Sequence, residues 1–221
     1  MTLKYKMKIL NHFIMIAIIM LPFLCVATDS KPMANNDKEA NYQKNVDPSI
    51  IGKFNNWYLY KGDNDGSDIY FLTSIPTKKY GNYTNRSSAK IWVTNNNDND
   101  EVSVYAGYKY KKDKYVDMVI LGKIDGETDK ILDQIYTEAE KGNCSLSELK
   151  NNGNHYNFNI IEDEQAWLDN NQADDLVIKD FRKNYYAIVA AYSQKGTCSV
   201  DLYSLLGFIK GYNTMKKYIN N

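Results

Sequence analysis

The chain has 221 residues, 27 basic groups matched by 27 acidic ones, and 43% apolar side chains. That length suits one domain plus a tail. The even balance argues against nucleic acid, which needs a concentrated basic face, and offers no polybasic segment for docking to a membrane.

Lys4, Lys6 and Lys8 open the chain, and the uncharged run from Phe13 to Ala27 follows. Cys25 and Ala27 put small residues at the two positions a signal peptidase reads. The pattern predicts a secretory signal peptide over residues 1–27, cut after Ala27. A spanning helix needs about 20 apolar residues, and this run is shorter and interrupted by Pro22. A lipoprotein cut before Cys25 wants a small residue where Leu24 stands. Cleavage removes three lysines and leaves 24 basic against 27 acidic groups, with no stable membrane anchor. The expected location is periplasmic, at the cell surface or secreted.

Residues 28–50 are polar and read as a flexible linker, because they cannot bury enough apolar surface to offset their ordering entropy. A β-rich domain over residues 51–221 follows. NWYLYK and DIYFLTS read as strands joined by a hairpin at Asp65-Gly66. IPTKKYGNYTNRSS reads as a loop, broken by Pro76 and Gly81. AKIWVT, EVSVYAGYKY and YVDMVILG are strands, the second with Val102, Val104 and Ala106 on one face.

Residues 123–154 hold the best helix, with Thr128 as its expected cap, Ile131, Leu132, Ile135 and Ala139 on one face, and Gly142 as its stop. YNFNII returns to strand. EDEQAWLDNNQ reads as a turn anchored by Trp167, and ADDLVIKDFRKN as a short helix apolar at Leu176, Val177 and Phe181. YYAIVAAYS is a strand apolar enough for burial on both faces. CSVDLYSLL is the last strand, and Phe208, Ile209, Tyr212, Met215 and Ile219 fall near helical spacing at the end. Seven or eight strands with two or three peripheral helices predict a mainly β, two-layer antiparallel sandwich.

The residues for catalysis are sparse. His155 is the single histidine outside the leader and lies in a predicted loop with no metal-spaced partner. Asp63, Asp65 and Asp68 invite a calcium reading, but a hairpin turn accounts for them and an EF-hand loop would need a closing Glu. Glu162 and Glu164 could pair for glycoside chemistry, and a solvated turn explains them equally. No glycine-rich phosphate loop occurs. No catalytic residue, metal site or cofactor is therefore assigned. Sequons at Asn82, Asn85 and Asn143 matter only in a eukaryotic secretory route. With Cys25 leaving in the leader, Cys144 and Cys198 form an even pair in a compartment that permits disulfides. They either bridge, closing a long loop, or remain two thiols.

Several segments taken together resemble the invasion-associated locus B family of small exported alphaproteobacterial proteins. The likeness runs over roughly residues 54–219. It begins at Trp57 and continues through Pro76, Lys78, Gly81, Tyr83 and Arg86, then KIWVT and EVSVYAGYKYK. An Ala166-Trp167 pair follows. Last comes SQKGTCSVDLYSLLGFIKGY, with Ser193, Gly196, Thr197, Asp201, Tyr203, Ser204, Leu205, Gly207 and Phe208.

The resemblance implies an immunoglobulin-like sandwich, export, and association with host-cell invasion or persistence, a virulence role, with no enzymatic activity or cofactor. Two departures stand out. Family members often pair a second-strand cysteine with one near the C-terminus, whereas Ile69 and Phe71 occupy the first region and the neighbourhood of Tyr218 lacks the second. Residues 123–154 also look like an insertion. Asp201, Tyr203 and Ser204 are expected where a strand end meets a turn, with the Tyr203 ring inward and Gly207 turning the chain into the last helix.

The leading expectation is a non-enzymatic exported binding protein with an envelope or host protein as partner. The alternatives are an envelope glycan hydrolase using Glu162 and Glu164, and a structural or stress-related periplasmic protein.

Overall fold

The structure is a computed structural model that describes residues 48–64, 66–96 and 99–220. The expected signal peptide, the linker up to residue 47, and Asp65 of the calcium reading lie outside the described residues. The chain divides into two compact units. One includes the described residues Asp63, Asn64 and 66–68. Its described part is a hairpin tip in which Gly66 N–H donates to Asp63 Oδ1 at 3.0 Å. The other, Pro48–Gly62 and Ile69–Asn221, carries the fold.

Two antiparallel sheets form a sandwich with three helices. The seven-stranded sheet runs β1 (Ser49–Phe54), β2 (Trp57–Asn64), β3 (Ser67–Ser74), β5 (Lys90–Asn96), β6 (Asn99–Tyr105), β10 (Gln165–Trp167) and β9 (Ile160–Glu162). The five-stranded sheet runs β4 (Lys78–Gly81), β12 (Cys198–Ser204), β11 (Tyr186–Tyr192), β7 (Val116–Leu121) and β8 (Gly153–Phe158). The helices are α1 (Gly126–Glu140), α2 (Asn171–Phe181) and α3 (Phe208–Ile219).

Alternation decides which side chains meet. Ile91 and Val93 on β5 stand opposite Val104 and Val102 on β6. Their side chains join Trp57, Leu59, Leu72, Met118, Ile120, Val189 and Tyr203 in the core between the sheets. Val177 and Phe181 of α2, and Phe208, Tyr212 and Met215 of α3, belong to the same cluster. A second cluster lies on the other face of the five-stranded sheet. There α1 sets Leu132, Ile135 and Ala139 against Val119, Ile188, Val200 and Leu202. β11 is consequently buried along both faces, as its apolar run predicts. Cys144 and Cys198 form a disulfide within this second cluster.

The structure departs from the expected elements in several places. The described residues hold twelve strands rather than seven or eight. β1 starts at Ser49, inside the stretch read as linker, because Ile50 and its neighbours find backbone partners on β2. β4 lies within the expected loop and pairs with β12. Glu162 and Gln165 belong to a tight β9–β10 hairpin rather than a free turn, with Asp163 at φ 47 between them. His155 sits on strand β8 opposite Val119, not in a loop.

The cap of α1 is Asp125, whose carboxylate accepts from the Thr128 N–H. Thr128 thus supplies the donor one turn in, the position from which an N-cap side chain draws its bond. On α2, Ile178 turns inward and Leu176 is exposed, so the buried stripe is Val177, Ile178 and Phe181.

Candidate functional site

The chain changes sheets between β4 and β5. The crossing segment, residues 82–89, brings the motif residues together. At its start Gly81 adopts φ 142, and a Cβ there would lie 2.0 Å from the Cys198 carbonyl oxygen. No L side chain fits that approach. Asn82 Oδ1 then accepts from the Cys198 N–H at 2.6 Å, and upstream Thr77 N–H donates to the Leu202 carbonyl at 2.7 Å. The segment is thereby stitched to β12 before it leaves the sheet.

Arg86 lies midway along the crossing. Its Nη1 donates to Asp201 Oδ2 at 2.9 Å and to the Ala106 carbonyl at 3.3 Å, and Nη2 donates to Asp201 Oδ1. Both side chains are 3% exposed. Ala106 follows β6 in one sheet and Asp201 sits on β12 in the other, so one guanidinium ties the two layers together. The Tyr83 ring covers it, with the guanidinium carbon 4.4 Å from the centroid. A forked guanidinium suits this two-point grip and a face-on aromatic at once. Around the pair, the Tyr108 hydroxyl is bonded to Ser199 Oγ and donates to the Ala191 carbonyl, and the Tyr110 hydroxyl donates to the Val104 carbonyl.

The electrostatics keep this cluster static. Burial works against charge on Arg86, but the hydrogen bond and charge of Asp201 outweigh it and hold the guanidinium protonated far above its ordinary range. Burial pushes the Asp201 carboxyl up, and Arg86 pulls it back. Burial also raises the Tyr108 and Tyr110 hydroxyls well above the ordinary phenol range, so they remain neutral donors. A charge pair in this setting has little freedom to exchange protons with a ligand. It fixes geometry, the best-attested use of a buried ion pair.

The other motif residues fall into smaller groups. Ser193 and Thr197 close the β11–β12 turn through their hydroxyls at 2.6 Å, with Gly196 at φ 83 at its corner. At the opposite end of β12, Trp57 Nε1 donates to the Ser204 carbonyl at 3.2 Å and its ring packs on Phe208 at 4.9 Å. Gly207 takes φ 97 there, where a Cβ would stand 1.9 Å from the Phe54 carbonyl oxygen. Tyr203 and Leu205 are core residues, with the Tyr203 ring inward as expected. Asp201 lies in the middle of β12 rather than at a strand end. Pro76 is half-buried before β4, and Trp167 lies opposite Ser103 on β10.

The candidate acids are placed differently. The Glu164 carboxylate accepts from the Tyr105 hydroxyl, which also meets Ser87 Oγ at 3.1 Å. Glu162 lies on β9 of the same hairpin, while His155 is exposed on the five-stranded sheet. Among the described residues no group of three or more His, Cys, Asp or Glu side chains is placed to hold a metal ion. Among the described residues no helix is long and apolar enough to cross a membrane.

Reading the sequence missed Tyr108, Tyr110 and Ser199. The spacing of the two tyrosines, one residue apart after a strand, is the single local signal. The pairing of Arg86 with Asp201, 115 positions apart, leaves no local signal at all.

No protein-family model, no curated protein and no solved structure matches the chain.

Proposed function

We propose that the chain is an exported, non-enzymatic binding protein that works outside the cytoplasm on an envelope or host protein. The observation that carries this reading is how the most specific motif residues are used. Arg86 and Asp201 bond to each other, Ser193 to Thr197, and Trp57 to a main-chain carbonyl. Side chains spent on holding strands together leave recognition to the surface, and function then lies in surface sites rather than in the fold. The disulfide between Cys144 and Cys198 is compatible with an oxidising compartment, and the basic-then-apolar N-terminus supports export. A role in host-cell invasion or persistence is the family-level form of the same proposal and rests on the motif resemblance.

Glycan hydrolysis through Glu162 and Glu164 is the rival reading. The bond from Tyr105 on β6 to Glu164 in the β9–β10 turn supports a turn-holding role for that acid instead. The test is capture with the exported chain from envelope and host-cell extracts, alongside release of reducing sugar from envelope glycans. A specific protein in the captured fraction and no sugar release is the expected result. Sugar release abolished by Glu164→Gln would establish the rival, and neither capture nor release would favour a structural or stress-related role.

A further inference from the structure

The strand ends β7, β11 and β12 meet in register. Tyr186 stands opposite Leu121 on one side and Ser204 on the other. The segments continuing from that row are joined by main-chain bonds. Tyr185 N–H donates to the Leu121 carbonyl, Leu205 N–H to the Tyr185 carbonyl, and Asn56 N–H, from the β1–β2 turn, to the Leu206 carbonyl. The first turn of α3 begins at the same place. This end therefore collects Tyr185, Leu206 and Ile209, which are 48%, 61% and 46% exposed. Three large apolar side chains gathered at one tip call for a partner more than the same residues scattered would.

Cations surround them. Lys123 Nζ lies 5.7 Å from the Tyr185 ring centroid, and Lys210, in the first turn of α3, lies 6.0 Å from that of Phe54. Arg182 and Lys183 lie three and two residues before Tyr185 in the chain, with the Arg182 guanidinium 5.5 Å from the Tyr212 ring of α3, and Lys53 lies on β1 just before the same turn. All five are exposed.

The nearby carboxylates are outnumbered rather than neutralised: Glu127 is exposed in the first turn of α1, and the other two are held by neutral donors. Asp180 accepts from Asn154 and Tyr156, and Asp125 caps α1. α3 has no acid in its first turn, its N-cap Gly207 offers no capping side chain, and its sequence carries three lysines and no carboxylate. The positive end of the helix dipole adds to the same field.

We propose that this end is a contact surface for an anionic lipid bilayer. The tip formed by Tyr185, Leu206 and Ile209 enters the headgroup layer, while Lys53, Lys123, Arg182, Lys183 and Lys210 sit over lipid phosphates. An apolar tip within a basic ring is the pattern of reversible interfacial binding, where shallow apolar burial and attraction to acidic lipids each supply part of the affinity. The even charge of the whole chain conceals it, because that balance is struck over the full length and the segregation is local. The contact is independent of any protein partner.

The experiment is co-sedimentation of the chain recovered after export with vesicles of phosphatidylcholine alone or mixed with phosphatidylglycerol. Binding is expected to the acidic vesicles only and to weaken with salt. Lys123→Glu with Lys210→Glu should weaken it roughly tenfold or more, and Leu206→Ser with Ile209→Ser by roughly tenfold. All four substitutions change exposed positions, and an unchanged melting temperature confirms the fold. Equal binding to both vesicles, wild-type affinity in both double variants, or no sedimentation with either vesicle overturns the proposal. So does capture of an acidic protein through this end with no lipid binding.

Discussion

The middle of β12 and its α3 end handle charge in opposite ways. In the interior, Arg86 and Asp201 are nearly inaccessible, matched one to one and bridged to both sheets. At the α3 end, five cations stay exposed near an apolar tip and outnumber the neighbouring acids Asp125, Glu127 and Asp180. A buried charge needs its partner to be tolerated at all, whereas an exposed one is cheap to leave unpaired and available to a ligand. Ion pairing inside the molecule therefore marks architecture, and unpaired surface charge marks the place to look for contacts.

The largest expected effect breaks the interior side. Arg86→Met strands a buried carboxylate and should cost about 3–5 kcal/mol in denaturant unfolding. Removing the Cys144–Cys198 bridge comes close behind, at about 4 kcal/mol by the chain-entropy relation for a loop of this length, read from melts with and without reductant. Gly207→Ala must fit a Cβ against the Phe54 carbonyl and hold an alanine at positive φ, so a loss of about 2 kcal/mol or more is expected. That substitution also shifts the loop carrying Leu206, and vesicle binding should fall with it. Lys123→Glu, on the exposed side, should alter stability by less than about 0.5 kcal/mol while reducing lipid binding.

The smallest effect is a pH dependence. The Thr128 N–H bond holds the Asp125 carboxyl below its ordinary range. A depressed folded value means that its contribution is present above the unfolded value of about 3.9 and is lost as pH falls through the folded one. Asp125→Ala should therefore melt slightly below wild type at neutral pH, and the gap should close toward pH 3.

Much of the fold is legible in the sequence where alternation is long. β5, β6, β7, β11 and β12 all span six or seven residues with regular apolar spacing, and each was expected. Apart from β1, the elements missed are short or polar. β4 is KKYG, an edge strand that exists because β12 offers it a ladder, and β9 and β10 have three residues each, too few for a period to register. Leu176 falls in the apolar run of α2, but the helical phase turns Ile178 inward in its place. The interior site was half visible. Arg86 and Asp201 each stand out within a motif, yet their contact depends on the chain crossing between sheets, which no local spacing encodes.

The measurement closest to the central claim is a double-mutant cycle on Arg86→Met and Asp201→Leu, followed by denaturant unfolding. Each single change should destabilise by about 3–5 kcal/mol, and the double should recover most of that loss, because it leaves no unpaired charge in the core. Additive losses, or single variants as stable as wild type, would contradict the assignment of this pair as the tie between the sheets.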